Sequence, residues 1–238
     1  MVATRLIFGL LERRERTLAK TNAPMRLDED MQWSAIVPVK GHTEAKSRLE
    51  ADPKGREALS RAFLADVLSA LAGSEPISQV IVVTDDADLA RLNSRDVRIT
   101  LLVSQGLNED IQQGLDLVGH GPAIVLTSDL PCLTTPALND VLALARKYPL
   151  SFISDTQGLG TTMLLAHDAT TCTPSYGIRS HARHVQAGFQ ELKSLDPRTR
   201  ESLTRARRDV DTAIDLWDAT RIGVGTATTA LLSPNLIK

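Results

Sequence analysis

Short apolar runs alternate with longer amphipathic runs from residue 33 onward. The runs 80–83 and 124–126 contain no polar position, which is typical of strands buried on both faces of a parallel sheet. Between such runs, apolar residues recur at helical spacing, as in the stripe of Leu59, Phe63 and Val67. The pattern predicts strands at 33–39, 79–84, 97–104, 123–127, 151–154 and 161–166, and helices at 56–72, 107–118, 135–147 and 178–192.

The order of these elements indicates an α/β fold, a single domain at residues 33–238 with a mostly parallel central sheet flanked by helices. Residues 1–32 do not share the pattern, because they hold a short apolar run at 6–11 and then a mixed-charge run. We expect this N-terminal extension to be a flexible tail or a short docked helix. In such sheets ligands bind beyond the carboxyl ends of the strands, so the residues that follow each strand are the candidate site.

Composition argues against several classes of protein. Hydrophobic residues make up 42% of the chain and aromatic residues 3%, so the core is aliphatic and rings for base stacking are scarce. The net charge of -2 argues against nucleic-acid binding. No apolar run could span a bilayer, and charges rather than a cleavage site follow residues 6–11, so we expect a cytoplasmic protein. Cys132 and Cys172 lack zinc-binding spacing and are expected to be free thiols.

Three cations follow the first predicted strand: Lys40, Lys46 and Arg48. Cations at the carboxyl end of a strand form a phosphate-binding arrangement. The alternative is an ordinary solvated loop. The chain contains neither the GxxxxGK pattern of a P-loop nor the GxGxxG pattern of a dinucleotide site.

Two acidic residues are candidate metal ligands. Asp129 follows the fourth predicted strand, where a carboxylate that loses water on one side needs a cation nearby. Asp211 ends a short extended segment before a helix and could share a metal ion with Asp129. Magnesium is the expected ion, because it binds carboxylate together with phosphate oxygens. The alternative is that both residues serve as turn or helix-capping residues.

Further polar segments follow other strands. The segment 176–184 combines a glycine, a serine and four cationic or titratable side chains at a predicted helix start, an arrangement that favours anion binding. The alternative is a surface helix in which His181 and His184 are solvated. Asn108 and Glu109 open another predicted helix and are candidates for holding a base or a ribose.

Taken in order, these motifs resemble those of the 2-phospho-L-lactate and phosphoenolpyruvate guanylyltransferases of coenzyme F-420 biosynthesis. The resemblance covers about residues 33–220. Each motif alone is weak, and the set is specific. The matching stretches are VPVKGHTEAKSRL at 37–49, GLNEDI at 106–111, SDLPCL at 128–133, GLGTTML at 158–164, YGIRSHARH at 176–184 and DVDTAIDL at 209–216.

The resemblance implies a fold of the nucleotide-diphospho-sugar transferase (glycosyltransferase-A) type, related to the molybdopterin guanylyltransferases. Those relatives have a glycine-rich first loop, whereas this chain has Lys40, Lys46 and Arg48 in its place. The implied reaction joins GMP from GTP to a small phosphorylated carboxylic acid and releases pyrophosphate. The acid is 2-phospho-L-lactate, phosphoenolpyruvate or 3-phosphoglycerate.

The resemblance also implies roles for single residues. It makes Asp129 and the three cations catalytic, and it assigns Mg2+ to Asp129 and Asp211. The family often has proline after the Asp-Thr pair, and Ala213 stands there, which we expect to cost only turn rigidity. The implied nucleotide-binding residues are Lys40, Lys46, Arg48, Asn108 and Glu109, and the implied acceptor-binding residues are Thr162, Gly177 and Ser180.

The implied partners are GTP and the phosphorylated acid, with no nucleic acid and no membrane. A homodimer is compatible with this fold, as is hand-over of the product to the transferase that builds it onto the deazaflavin. Two other functions stay open from the residues. One is a nucleotidyltransferase that acts on a sugar or alcohol phosphate, and the other is a catalytically silent nucleotide-binding protein on the same fold.

Overall fold

A computed structural model describes residues 31–39, 52–86, 89, 97–101 and 105–232. The predicted phosphate-binding cations, Lys40, Lys46 and Arg48, lie outside the described residues, as do residues 1–30 of the predicted N-terminal extension. None of the described helices is long and apolar enough to cross a membrane.

The described strands form one sheet of seven strands in the order β3-β2-β1-β4-β6-β5-β7. Strand β1 lies between β2 and β4 and is parallel to both, whereas β6 is antiparallel to β4 and β5. The prediction of a mostly parallel sheet is therefore confirmed, with β6 as the reversed strand. The strands are β1 Trp33–Val39, β2 Ile77–Thr84, β3 Val97–Leu101, β4 Ala123–Leu126, β5 Leu150–Ser154, β6 Thr161–Ala166 and β7 Gln190–Glu191.

Capping residues mark where the helices begin. The side chain of Thr134 accepts the backbone N–H of Ala137 at 3.3 Å, and Pro136 stands in the first turn of the helix. Asp52 and Asp196 cap two further helices in the same way. The helices of the described residues are α1 Pro53–Ala72, α2 Leu107–Val118, α3 Thr135–Ala145, α4 Ser180–Gln186, α5 Pro197–Ala206, α6 Ala213–Ile222 and α7 Thr226–Leu232, with a 3-10 turn at Ala169–Thr171.

Alternate residues of the strands supply the two layers of the core. Val37 and Val82 pack in one layer with residues of α1, α3, α5 and α7, whereas Ile36 and Ile81 pack in the other with α2. Gly114 of α2 lies close to β1, since a Cβ added there would lie 2.6 Å from Cγ2 of Ile36. The two helical layers leave the carboxyl ends of β1, β2 and β4 at one edge of the sheet.

Asp66 joins the first described helix to the last. Its carboxylate accepts the backbone N–H groups of Ala227 and Thr228 at 2.8 and 3.0 Å, and so caps α7 from within α1. The Asp66 side chain is buried, and burial raises the pKa of its carboxyl, while the hydrogen bonds from α7 lower it. Gly225 leaves room for this contact, because a Cβ there would collide with Asp66.

The structure corrects the predicted helix at 178–192. Helix α4 covers only Ser180–Gln186, because Gly188 takes a left-handed φ of 89° and the chain turns into β7. Helices α5 and α7 were not predicted. Cys132 and Cys172 are free and buried, as expected, and burial raises the pKa of their thiols to about 11 and about 12.

Candidate active site

Two distant segments of the chain meet beyond the carboxyl end of β4. The backbone N–H of Val210 donates to the carbonyl oxygen of Asp129 at 3.1 Å, so the segment 209–211 lies alongside the loop that follows β4. The backbone N–H of Thr127 donates to the carbonyl oxygen of Thr162 at 3.1 Å, which brings the start of β6 to the same place. The predicted metal ligands Asp129 and Asp211 are therefore brought together at this edge.

The electrostatics of this edge centre on Asp209. The pKa of the Asp209 carboxyl is raised from 3.8 to about 7, first by burial and then by the nearby negative charges of Asp129, Asp211 and Asp155. Carboxylates that disfavour one another's ionisation favour a bound cation, which relieves the repulsion. We therefore regard Asp129, Asp209 and Asp211 as one acidic cluster.

Sequence reasoning named Asp129 and Asp211 but missed Asp209. A signal was present, because Asp209 and Asp211 alternate with Val210 in an extended segment, and alternate side chains of such a segment share one side. Val210 is fully buried with Cys132 and Ala219. That burial directs the two aspartates of the segment to the other side.

Asp155 contributes charge to this edge but has a structural task. Its carboxylate accepts the backbone N–H groups of Leu159 and Gly160 at 2.9 and 2.8 Å, which closes the turn between β5 and β6. A side chain at Gly160 would collide with that carboxylate. Glycine at this position therefore lets the turn deliver Thr161 and Thr162 to the site.

The backbone at Asp211 is held by the start of α6. Thr212 and Asp215 form a reciprocal cap, and the Asp215 carboxylate accepts the N–H groups of Thr212 and Asp211 at 2.9 and 3.3 Å. Arg208 lies 3.7 Å from Asp215 and 3.6 Å from Asp218. The predicted helix after this segment is thus confirmed, with Thr212 extended just before it, and the cap holds the backbone without the family's proline at Ala213.

The donor chemistry of the acidic cluster suits magnesium. Among the described residues, no three histidine, cysteine, aspartate or glutamate side chains converge closely enough to hold a metal ion by themselves. Magnesium does not need such a cage, since it is commonly bound through one or two carboxylates, with waters and substrate phosphates completing the shell. Burial is the main reason that the pKa of Asp209 is raised, and the charges of Asp129 and Asp211 add to it; a bound cation would offset both effects.

Two neighbouring threonines of β6 point to opposite faces of the sheet. The Thr162 hydroxyl is buried and donates to the carbonyl oxygen of Ala206, at the end of α5, at 2.9 Å. The Thr161 hydroxyl lies 3.3 Å from the hydroxyl of Ser180. The structure thus groups Ser180 with Thr161 rather than with the Thr162 hydroxyl, and the acceptor role expected of Thr162 stays a prediction.

The loop that precedes α4 has an unusual backbone. Gly177 has a φ of 112°, and Arg179 is the only non-glycine residue with positive φ in the described part of the chain, at 58°. Non-glycine residues in this conformation are strained and cluster at functional sites. Ser180 closes the loop by donating its N–H to the carbonyl oxygen of Gly177 at 3.0 Å.

Asn108 braces the same loop. Its amide accepts the N–H of Tyr176 at 2.7 Å and donates to the carbonyl oxygen of Tyr176 at 3.1 Å. The start of α2 is thereby tied to the loop that carries Gly177 and Ser180. Glu109 is exposed at the start of α2, beside Gly106, and the nucleotide-binding roles expected of Asn108 and Glu109 stay predictions.

His184 lies behind this loop and is fully buried, so the alternative that it is solvated is wrong. Its ring is 6.0, 5.4 and 5.5 Å, centroid to centroid, from the rings of Phe152, Tyr176 and Phe189. Burial lowers the pKa of His184 to about 4, with a smaller contribution from nearby cationic groups. The sequence points to His184 but not to its burial, which depends on Phe152 and Thr161 from distant segments of the chain.

The fold is shared with solved structures of nucleotide-using transferases. A protein of Desulfovibrio desulfuricans G20 named as a nucleotide-diphospho-sugar transferase superposes with a TM-score of 0.64 at 18% identity, over 85% of this chain and 94% of that one. A 4-diphosphocytidyl-2C-methyl-D-erythritol synthase superposes with a TM-score of 0.54 at 13% identity, over 81% of this chain and 98% of the other. The fold class is therefore the one that these two transferases share.

Within that class, the chain belongs to the family described as Guanylyl transferase CofC like, whose model matches residues 33–233. The phosphoenolpyruvate guanylyltransferase of Streptomyces coelicolor is 37% identical over 217 residues, 87% of this chain and 99% of that protein. The enzyme of the same name from Geodermatophilus obscurus is 37% identical over 211 residues, 84% of this chain and 94% of that protein. The resemblance inferred from the motifs is confirmed, and the protein is a guanylyltransferase.

Proposed function

We propose that this guanylyltransferase joins GMP from GTP to phosphoenolpyruvate and releases pyrophosphate, and that the product enters coenzyme F-420 biosynthesis. One observation carries the proposal: the acidic cluster of Asp129, Asp209 and Asp211 stands at the same sheet edge as the start of β6. Magnesium at these carboxylates, with phosphate-bearing substrates beside it, suits nucleotidyl transfer. The names of the relatives from Streptomyces coelicolor and Geodermatophilus obscurus favour phosphoenolpyruvate as the acceptor.

The reaction needs alignment more than base catalysis. A phosphate oxygen of the acid attacks the α-phosphorus of GTP, a new P–O bond forms, and the bond to the β-phosphate oxygen breaks. Pyrophosphate leaves with the electron pair of that bond. The nucleophile is already an anion, so no side chain needs to remove a proton, and catalysis comes from positioning and charge neutralisation.

The acidic cluster is the part of the site that would hold magnesium. Asp129, Asp209 and Asp211 are the residues that would hold magnesium, and the ion would supply charge neutralisation for the phosphate groups of the two substrates. Lys40, Lys46 and Arg48 are proposed to hold the triphosphate and the leaving pyrophosphate.

The acceptor pocket is proposed to lie around the loop 177–180. Its backbone is held by Asn108, and Ser180 supplies a hydroxyl next to that of Thr161. Gly177, Ser180 and Thr162 keep the acceptor-binding roles that the family resemblance implies. A homodimer and hand-over of the product to the deazaflavin transferase remain predictions.

A product assay tests this proposal. The purified protein is incubated with magnesium, GTP and one of three acids: phosphoenolpyruvate, 2-phospho-L-lactate or 3-phosphoglycerate. The transferase that passes the product to the deazaflavin alcohol is included, and the deazaflavin is read by mass spectrometry. We expect a mass shift with phosphoenolpyruvate and none without magnesium.

Two outcomes would overturn the proposal. Turnover with 2-phospho-L-lactate or 3-phosphoglycerate but not phosphoenolpyruvate would refute the acceptor and keep the guanylyl transfer. Turnover with CTP or UTP and a sugar phosphate, but not with GTP and any of the acids, would refute guanylyl transfer itself.

A further inference from the structure

We propose that His184 is a positioning residue that orients the hydroxyl groups of Thr161 and Ser180 so that Ser180 donates a hydrogen bond to an anionic oxygen of the acceptor. The inference rests on the proposed function, because it assumes that the acceptor binds beside Ser180. It deepens that function by naming how the pocket selects an acid. No part of it requires His184 to touch the substrate.

The first step is the tautomer of His184. The backbone N–H of Ser175 lies 3.0 Å from Nε2 of His184, and a backbone N–H can only donate, so Nε2 must be the acceptor. Burial among Phe152, Tyr176 and Phe189 keeps the ring neutral. The single ring hydrogen is therefore on Nδ1.

The second step is the hydrogen bond from His184 to Thr161. Nδ1 of His184 and Oγ1 of Thr161 are 2.8 Å apart, and both side chains are buried. Because Nδ1 carries the hydrogen, Thr161 accepts. The oxygen of Thr161 is thus occupied by a donor, and its own hydrogen is left to donate elsewhere.

The third step is Ser180, whose Oγ lies 3.3 Å from Oγ1 of Thr161. Without a ligand, Ser180 donates to Thr161. With an anionic oxygen beside Ser180, the Ser180 hydroxyl turns to donate to that oxygen, and Thr161 donates to Ser180 in turn. Every hydrogen in the series Ser175, His184, Thr161 and Ser180 then points toward the anion, and such chains strengthen one another.

The arrangement has a specific chemical preference. A series of donors directs the Ser180 hydrogen at the ligand, and a carboxylate or phosphate oxygen accepts such a hydrogen more strongly than a neutral oxygen or nitrogen does. A protonated His184 could not accept the Ser175 N–H, so this series of hydrogen bonds requires a neutral imidazole ring. The pocket should therefore favour an anionic oxygen over a neutral group of the same size.

The test compares two variants of His184. His184→Leu removes both hydrogen bonds, whereas His184→Asn places an amide nitrogen near the position of Nδ1 and keeps a donor for Thr161. Both variants lose the acceptor for the Ser175 N–H, so a role in stability alone should affect them alike. We expect His184→Leu to raise KM for phosphoenolpyruvate about tenfold to a hundredfold, with KM for GTP unchanged, and His184→Asn to restore most of the loss.

A second pair of variants, at Thr161, tests the inference even if His184→Leu fails to fold. Thr161→Val has nearly the shape of threonine and removes the hydroxyl between His184 and Ser180, whereas Thr161→Ser keeps that hydroxyl. We expect the same rise in acceptor KM for valine and rescue by serine. Ser202→Ala on α5 is the matched control, because it also removes a buried hydroxyl. That hydroxyl donates to Asp140 at 2.8 Å.

Binding of phosphoenolpyruvate is measured in parallel by calorimetry, because binding does not depend on turnover. The inference is overturned if Thr161→Val keeps the wild-type KM and affinity, or if leucine and asparagine at 184 give equal KM values. Turnover by the wild type, with KM and affinity for phosphoenolpyruvate unchanged in the variants, would refute only this inference.

Wild-type protein that binds phosphoenolpyruvate but transfers no GMP would refute the proposed function. In that case, weaker binding by Thr161→Val would still support the inference. Wild-type protein that binds none of the acids would refute both.

Discussion

The backbone N–H of Val210 donates to the carbonyl oxygen of Asp129, and the two atoms are 3.1 Å apart. This hydrogen bond joins the loop after β4 to the segment before α6 through main-chain atoms. It does not require a carboxylate at position 129, so the contact can persist when that side chain is substituted.

Asp129→Asn is expected to lower kcat by at least about a hundredfold, because it removes a charge that would hold magnesium between the substrates. The measurement is turnover of GTP and phosphoenolpyruvate with circular dichroism of the same samples. Asp116→Asn is the control, since Asp116 is an exposed aspartate on α2 that contacts Gln112. Near-normal turnover by Asp129→Asn would remove this residue from the active site.

Asp209→Asn is expected to separate stability from cation binding. Burial and then the charged neighbours of Asp209 disfavour its ionisation, so without metal at pH 8 the asparagine variant should be more stable by about 1 kcal/mol or more. Magnesium with GTP should then stabilise the wild type but not the variant. Urea unfolding with chelator, and again with magnesium and GTP, measures both effects. A variant that is less stable than the wild type in chelator would contradict the repulsion.

His184 should make stability depend on pH in mild acid. Its pKa is lowered to about 4 in the folded protein from 6.5, so the unfolded chain binds a proton first as the pH falls. The free energy of unfolding should therefore be fully supported above pH 6.5 and fall by up to about 3 kcal/mol as the pH drops toward 4.

The His184→Asn variant isolates this contribution, because asparagine does not titrate and other groups remain the same. Urea unfolding of both proteins at steps from pH 7.5 to 4.5 gives the difference between their profiles. The gap in stability between wild type and variant should narrow as the pH falls. A constant gap would mean that His184 is not held neutral by the fold.

Asp66→Ala should destabilise the protein by about 2–3 kcal/mol, because it leaves the buried N–H groups of Ala227 and Thr228 without their acceptor. Asp196→Ala is the matched control, since Asp196 caps α5 in the same way from an exposed position and should cost less stability. Urea unfolding compares them. Equal losses would show that burial of the Asp66 cap does not matter.

Much of the sheet could be predicted because its strands are continuously apolar. The predicted bounds of β1 and β6 and of helix α2 agree with the structure. The helix at 178–192 was predicted too long, since periodicity alone does not register that Gly188 takes a left-handed conformation. Helix α5 was missed although Asp196 and Pro197 carry a recognisable cap signature.

The candidate site was predictable only in part, for a physical reason. Asp129 could be found because it stands at the end of a strand, and Asp211 because it precedes a helix. The hydrogen bonds of Thr161 and His184 join residues 23 positions apart on different elements, and no local pattern encodes them. The sequence also does not show which of Thr161 and Thr162 faces Ser180, because that depends on the face of β6 to which each side chain points.

The contact between Asp66 and Ala227 joins residues 161 positions apart. At ribosomal rates of about 5–20 residues per second, α1 leaves the synthesis site roughly 8–30 s before its partner in α7 exists. During that time the Asp66 carboxylate of α1 has no backbone N–H groups of α7 from which to accept hydrogen bonds. The domain therefore reaches its native packing only after α7 has been synthesised, and chains that stop before α7 are expected to be substrates of proteases and chaperones.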